Sequence, residues 1–163
     1  MFLTANSIPK EYKNPIPTAD IILRKSGEEQ GKILIETRGR DPFKSKYSLP
    51  GGHVEYGETV EESILRELKE ECGLNAKLFC ILGVYSDPKR DPRGQRISTV
   101  FIGDRKSGRM KAGDDAAKCE WMDLQKILRM RDRLFAFDHH KILSDYSKWL
   151  RNKEPTFWSS KND

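Results

Sequence analysis

The sequence predicts one mixed α/β domain with few helices rather than a βαβα succession. Two apolar, β-branched runs at 19–23 and 32–37 flank a polar turn and predict a hairpin. Helices are predicted over 60–72 and over 138–152, where the apolar residues of each segment fall on one helical face. The length of 163 residues suits a single domain that buries its own core.

The other elements follow in chain order from shorter patterns. Residues 1–18 are polar and contain three prolines, so they are predicted to form an N-terminal arm. Further strands and one short helix are predicted at 47–49, 77–85, 97–102, 119–122 and 124–130. We therefore expect the domain to span 19–152 and a C-terminal tail to span 153–163.

The helix predicted over 60–72 has sequence signals at both ends. Thr59 and Glu62 form a capping box, in which each side chain accepts a hydrogen bond from the other residue's backbone N–H. Gly73 occupies the position where a left-handed residue ends a helix. These signals fix the helix bounds, and its apolar residues cover one arc of about 140° that predicts the buried face.

The net charge of +5 is unevenly distributed along the chain. Residues 58–71 hold six Glu, one Arg and one Lys, a local charge of −4, so the remainder carries +9 by subtraction. A basic body around an acidic cluster suits an anionic ligand bridged by a cation, and the other interpretation is a solvated surface. Within the cluster, Glu58 and Arg66 are predicted to form an ion pair that ties the preceding loop to the helix.

Three carboxylates are crowded at the end of this helix. Glu67, Glu70 and Glu71 are separated by one, three and four positions and lie side by side. Like-charged pairs at this spacing cost roughly a few tenths of a kcal/mol, and anions in the last turn oppose the helix dipole. A hard divalent cation would remove the conflict, because carboxylate oxygens suit Mg²⁺ or Mn²⁺. The other interpretation is a solvated acidic face.

Composition argues against some classes of protein. No run approaches the roughly 18 apolar residues of a membrane span, and the N-terminus lacks the basic and apolar regions of a signal peptide. The three cysteines, Cys72, Cys80 and Cys119, form no C-x-x-C pair. An odd number of cysteines fits a reduced, cytoplasmic protein better than a disulfide scaffold.

Residues 52–74 resemble the Nudix box, whose pattern is G-x5-E-x7-R-E-U-x-E-E-x-G-U with U aliphatic. Every fixed position is matched from Gly52 to Leu74. A Pro-Gly-Gly segment before the box and Glu120-Trp121 in a late strand also look like this family. The resemblance implies the Nudix fold, an α/β/α sandwich around a central mixed sheet. It also implies metal-dependent hydrolysis of a nucleoside diphosphate linked to another moiety.

The same resemblance implies how a metal ion would be held. Mg²⁺, or Mn²⁺ in its place, would be bound by the carboxylates of Glu67, Glu70 and Glu71. The carbonyl oxygen of Gly51 or Gly52 would complete the site. Metal ions would neutralise and orient the pyrophosphate and lower the pKa of a bound water.

Other box residues would have structural roles, and a base is needed as well. Glu58, Arg66 and Gly73 would shape the loop–helix–loop of the box. In this family the catalytic base is either a box glutamate or an acid from a later loop. The later candidates here are Asp114, Asp115 and Glu120. Asp115 is the first choice among them, and the other interpretation of a loop Asp is turn chemistry.

Substrate choice is predicted from residues outside the box. The loop over 83–94 resembles that of the ADP-ribose pyrophosphatase subgroup, which carries a proline about fifteen residues after the box, and Pro88 is fifteen residues after Gly73. The segments 108–116 and 134–139 also look like small members of that group. The resemblance therefore implies that ADP-ribose and water give AMP and ribose 5-phosphate. The other interpretation of the proline is a rigid turn.

The candidate substrate-binding residues are basic or aromatic. Arg38 ends a strand before the site loop, where it would be a bidentate donor to phosphate. Phe43 or Tyr85 would stack on adenine, whereas Tyr47 is expected to pack in the core. The next loop contributes Pro88, Lys89, Arg90, Arg93 and Arg96. Its basic residues would attract an anionic substrate. For at least half of them, the other interpretation is a solvated charge in the loop without a role in binding.

Two other functions stay open. A MutT-like enzyme would act on oxidised or non-standard nucleoside triphosphates, with which the box is compatible. A non-catalytic sensor of ADP-ribose-like ligands would usually carry a helix-turn-helix after the domain, but only about 40 residues follow Trp121. Nucleic-acid binding is not expected, because no basic stripe with interleaved aromatic residues is visible. The expected partner is a small-molecule nucleotide, and a homodimer is left open because members of this family are often dimers.

Overall fold

The computed structural model describes residues 13–25, 31–111, 118–152 and 157–158. Its elements, in chain order, are β1 (Ile16–Arg24), β2 (Lys32–Thr37), β3 (Tyr47–Ser48), β4 (Gly51–His53), α1 (Val60–Cys72), β5 (Leu74–Tyr85), β6 (Arg96–Gly108), β7 (Lys118–Asp123), α2 (Leu124–Leu128), a 3₁₀ turn (Asp132–Leu134), α3 (His139–Asn152) and β8 (Phe157–Trp158). None of the helices in these ranges has the length and apolar character needed to cross a bilayer.

The strands form one mixed sheet of eight strands in the order β3-β2-β1-β6-β5-β8, with β4 beside β1 and β7 beside β2. β1 and β6 run parallel, from Ile16 opposite Arg96 to Arg24 opposite Asp104. β5 and β8 are also parallel, and the other strand pairs are antiparallel. The predicted hairpin of β1 and β2 is present, and the central mixed sheet that the sequence led us to expect is confirmed.

Helices cover both faces of the sheet, which makes the fold an α/β/α sandwich. Side chains alternate along a strand, so Leu34 packs in the core beneath α1, with Ile64 and Leu68. Its neighbours Ile33 and Ile35 pack in a second core with residues of α2 and α3. The sheet therefore carries α1 on one face and the C-terminal helices on the other.

The helix α1 has the bounds predicted from its sequence. The Thr59 side chain accepts a hydrogen bond from the Glu62 backbone N–H, and the Glu62 carboxylate accepts one from the Thr59 N–H. Gly73 follows the helix with a φ of 72°, a left-handed conformation that most side chains disfavour. Its N–H donates to the carbonyl of Lys69 at 3.1 Å, which ends the helix.

Several strands extend beyond the predicted bounds because strand pairing continues past the local apolar pattern. β1 begins at Ile16, inside the predicted arm, because its first residues pair with β6. β5 and β6 are longer than predicted, since polar ends continue the ladder and Asn75 donates a side-chain hydrogen bond to Ser107 at 2.9 Å. The predicted tail contributes β8, which pairs with β5.

The expectation of reduced cysteines is wrong for two of the three. Cys72, the last residue of α1, forms a disulfide with Cys119 on β7. The two residues are 47 positions apart, and no local motif marks them as a pair. They meet because α1 packs on the face of the sheet to which β7 contributes Cys119. The disulfide therefore joins the C-terminal end of α1 to the sheet.

Candidate active site

A polar cavity of about 310 Å³ lies between two groups of elements. One side is formed by β2, β4 and α1, and the other by the loop between β5 and β6 and the start of α3. Glu36, Glu67 and Glu71 line the first side. Arginines of the β5–β6 loop line the second. The cavity is therefore acidic at one end and basic at the other.

The acidic end brings two box carboxylates close to the backbone of β4. Glu67 and Glu71 are one helical turn apart on α1 and both face the cavity. The backbone N–H of Gly51 donates to an oxygen of Glu71 at 3.3 Å. A Cβ at position 52 would collide with the carboxylate of Glu67, which would have to move away from its present position. The box glycine thus lets the chain approach the helix carboxylates directly.

Glu36 on β2 completes this end, and the sequence analysis missed it. It is 3% exposed, and one of its oxygens accepts a hydrogen bond from the Ser48 hydroxyl at 2.7 Å. Burial raises the pKa of Glu36 and of Glu71 above the usual range of a glutamate. The charges of Glu36 and Glu67 raise the pKa of Glu71 further. The signal that marks Glu36 is an acidic residue two positions after the buried Leu34, on the same face of β2.

Arg66 occupies the centre of the acidic helix face. Its Nε lies 2.7 Å from an oxygen of Glu58, and its Nη1 lies 3.0 Å from Glu67 and 3.3 Å from Glu70. The guanidinium lowers the pKa of Glu58 to about 2. The contact between Glu58 and the helix is the one expected from the sequence. The Glu70 side chain is 60% exposed and does not line the cavity.

The donor chemistry of the acidic end fits a hard divalent cation. Glu36, Glu67 and Glu71 all offer carboxylate oxygens, the ligand type that Mg²⁺ and Mn²⁺ prefer. Oε2 of Glu36 is buried and accepts no hydrogen bond from the described part of the chain. As they stand, no three His, Cys, Asp or Glu side chains among the described residues converge as a metal site. The ion pairs that Arg66 makes with Glu67 and Glu70 account for part of this separation.

At the basic end, most of the arginines are held by aspartates. Arg90 donates two hydrogen bonds to Asp138, at 3.0 and 2.7 Å, and its side chain is 4% exposed. Arg96 lies 3.2 Å from Asp91, which also accepts from Arg93 at 2.8 Å. Arg90 therefore fixes the start of α3 to the loop, whereas Arg93 is 39% exposed at the cavity.

Arg38 and an aromatic ring form the mouth of the cavity. Nε of Arg38 donates to the carbonyl of Pro42 at 2.9 Å, and its guanidinium lies 5.0 Å from the ring centre of Phe137. Arg93 lies 5.6 Å from the same ring, and Phe43 packs edge-on against it. Phe137 has a φ of 52°, which is uncommon for a residue other than glycine. The ring that lines the cavity is thus Phe137, with Phe43 behind it.

Three of the predicted substrate-binding residues do not line the cavity: Tyr85, Pro88 and Phe43, the last of which packs against Phe137. Tyr85 is fully buried and donates a hydrogen bond from its hydroxyl to Asp145 at 3.0 Å, so its predicted role in stacking on adenine is wrong. Pro88 is exposed and does not line the cavity. The pattern that identified Tyr85, an aromatic residue at a strand end, is equally typical of a core residue with a polar tip.

Of the three catalytic acids predicted after the box, only Glu120 lies within the described residues. Asp114 and Asp115 lie outside the described residues. Glu120 is on β7 opposite Ile35 of β2 and does not line the cavity. The cavity instead holds Asp20 of β1, which accepts a hydrogen bond from Ser98 and lies 3.9 Å from His139. Asp20 and His139 were not among the predicted site residues.

Comparisons with known proteins agree with the fold. The family model described as the NUDIX domain matches residues 15–146. The ADP-ribose pyrophosphatase of Methanocaldococcus jannaschii is 49% identical over 138 residues, which cover 85% of this chain and 76% of that protein. The ADPR responsive transcriptional repressor NtrR of Acinetobacter baylyi is 28% identical over 147 residues, and these cover 88% of this chain but 57% of the repressor.

A solved structure extends the comparison to a bound ligand. The NUDIX domain of Shewanella oneidensis NrtR complexed with ADP ribose superimposes with a TM-score of 0.73 at 25% identity. The match covers 90% of this chain and 95% of that one. The family model spans most of the chain, and the relative that is 49% identical over 138 residues is named as a pyrophosphatase. This chain therefore belongs to the Nudix family and is a Nudix hydrolase.

Proposed function

We propose that this Nudix hydrolase cleaves the pyrophosphate of ADP-ribose to AMP and ribose 5-phosphate with the help of Mg²⁺. The observation that carries the proposal is the division of the cavity into a carboxylate end and an end with guanidinium groups and an aromatic ring. A ligand with phosphates beside a base or sugar matches this division. The name of the Methanocaldococcus jannaschii relative supports the choice of ADP-ribose.

Residues of the box would bind the cation. Glu67, Glu70 and Glu71 would hold the cation, with the carbonyl oxygen of Gly51 or Gly52. The bound cation would supply charge neutralisation for the pyrophosphate and a more acidic water. Mn²⁺ offers the same coordination chemistry and is the alternative metal.

Substrate orientation would fall to the residues at the mouth. Arg38 has a guanidinium that faces the cavity and suits bidentate contact with a phosphate. Phe137 offers a ring on which a base can stack, and such contacts tolerate different bases. Arg93 contacts the same ring and would attract the anionic substrate. The catalytic base would be a box glutamate or Asp115, which stays a prediction.

A product assay of the purified protein tests the proposal. With Mg²⁺ and ADP-ribose we expect AMP and ribose 5-phosphate. Glu71→Gln should lower turnover at least about 100-fold, because a cation ligand is at least as important as the groups that orient one. Glu61→Gln is the matched control, since Glu61 is exposed in the first turn of α1 and the charge change is the same.

Two other results would replace the proposal. Release of pyrophosphate from an oxidised nucleoside triphosphate, with ADP-ribose left intact, would make the chain a MutT-like enzyme. Tight binding of ADP-ribose without turnover would make it a sensor, the candidate suggested by the NUDIX domain of NrtR that holds ADP ribose. The cytoplasmic location and the homodimer expected from the sequence stay predictions as well.

A further inference from the structure

Glu36 is a charged residue in a place where its strand should be apolar. β2 reads Lys32-Ile33-Leu34-Ile35-Glu36-Thr37, and positions 33 to 36 are buried. Alternation along the strand puts Glu36 on the same face as Leu34, which packs beneath α1. An apolar residue would continue that core. The glutamate instead reaches the acidic end of the cavity.

Hydrogen bonds from its surroundings satisfy only part of the Glu36 carboxylate. The Ser48 hydroxyl satisfies Oε1 at 2.7 Å, while Oε2 has no hydrogen-bond partner. No ion pair with Glu36 is formed within the described residues, and Arg38, whose charge reaches it, donates its Nε–H to the Pro42 carbonyl. The other charged groups that act on it are also carboxylates: Glu71 through a side-chain contact and Asp20 through its charge. Burying a carboxylate in this way is costly unless something pairs with it.

A purely structural role would not require the charge. The hydroxyl of Ser48 is buried and needs an acceptor, because this serine is 1% exposed. A glutamine would provide that acceptor without bringing a second carboxylate next to Glu71. The unpartnered oxygen and its acidic neighbour therefore indicate a role for the charge itself, directed into the cavity.

We propose that Glu36 is a further carboxylate of the cation site, contributed by the sheet and acting together with Glu71 of the helix. The inference rests on the proposed metal-dependent function and adds a residue that lies outside the Nudix box. The cation would then be held by residues of both β2 and α1. Oxygen donors on both sides would then surround the ion rather than approach it from the helix alone.

A titration of the full chain with Mn²⁺ alone, without substrate, tests the role of Glu36. Electron paramagnetic resonance monitors the binding. Glu36→Gln keeps the acceptor for Ser48 and removes the charge. We expect its Kd for Mn²⁺ to rise about ten- to a hundredfold. Glu61→Gln, with the same change of charge at an exposed position, should leave the Kd as in the wild type. In EDTA, Glu36→Gln should raise Tm, because two neighbouring carboxylates no longer repel.

The results separate this inference from the function on which it rests. An unchanged Kd in Glu36→Gln would overturn the role of Glu36 and leave the proposed hydrolysis to its own assay. If the wild type binds no Mn²⁺, the role of Glu36 is overturned together with the proposed metal dependence, whatever the assay shows.

A second variant keeps the test open if Glu36→Gln does not fold. The double variant Glu36→Leu with Ser48→Ala replaces both hydrogen-bonding partners by apolar groups, a change that is often tolerated in a core. We expect the same loss of Mn²⁺ affinity from it. Wild-type affinity in the folded double variant would show that the carboxylate at position 36 takes no part in cation binding.

Discussion

The two ends of the cavity carry opposite charges and treat them differently. At the basic end, Arg90 and Arg96 are paired with Asp138 and Asp91. At the acidic end, Glu36 is buried beside another carboxylate and has an oxygen without a partner. The basic charges are thus largely used to connect the loop between β5 and β6 to the rest of the domain, whereas no ion pair with Glu36 is formed within the described residues.

The difference shows that charge next to a cavity does not by itself identify a binding residue. Arg90 lines the cavity and carries the right charge for a phosphate, yet two hydrogen bonds commit it to Asp138. Arg38 lines the same cavity, and within the described residues its side chain donates one hydrogen bond, to a backbone carbonyl. The number of internal partners separates the two residues better than their positions in the sequence do.

Removing Arg90 gives the largest effect on stability. Arg90→Met should lower the free energy of unfolding by about 3 kcal/mol, because the carboxylate of Asp138 loses its buried partner. Chemical denaturation measures this directly. Arg93→Met is the control, since its partly exposed pair with Asp91 should contribute about 1 kcal/mol or less. Equal losses in the two variants would contradict the division between a structural and an exposed arginine.

Changing Arg38 should affect substrate binding instead of stability. Arg38→Lys keeps the charge but loses the planar fork and its contact with Phe137. We expect KM for ADP-ribose to rise about tenfold, which corresponds to the loss of one hydrogen bond made by a charged group. Steady-state kinetics gives the result, and the denaturation midpoint provides the control. A large loss of stability with unchanged KM would place Arg38 with the structural arginines.

Local patterns were sufficient for the box helix and insufficient for the residues that face it. Thr59, Glu62 and Gly73 signal the ends of α1 through contacts within a few residues, so its bounds could be predicted. Glu36 and Cys119 meet α1 only through the sheet, and their partners are far away in the sequence. Such long-range contacts depend on the order of strands in the sheet, which the spacing of nearby residues does not reveal.

The aromatic residues show the same limit. Tyr85 and Phe137 are both aromatic residues near loops, and only the fold distinguishes a ring in the core from a ring at the cavity. A strand end does not tell which face a side chain takes when the strand contains bulges, and β5 contains several irregularities in its pairing with β6.

The smallest effect is expected from Tyr85, which belongs to neither end of the cavity. Tyr85→Phe removes the hydrogen bond to Asp145 and should lower the free energy of unfolding by about 1 kcal/mol. KM for ADP-ribose should stay at the wild-type value, because the ring lies in the core. Denaturation and steady-state kinetics on the same preparation measure both. A raised KM with unchanged stability would restore the role predicted from the sequence.

The bond between Cys72 and Cys119 has a consequence for the unfolded chain. It closes a covalent ring that contains β5, β6 and the loop carrying Arg90, with 47 positions between its ends. A ring of this size restricts the unfolded ensemble by about 4 kcal/mol in the chain-entropy model. The end of the box helix and β7 therefore remain neighbours when the structure around them opens. Refolding of this part of the molecule starts from a closed ring instead of from a free chain.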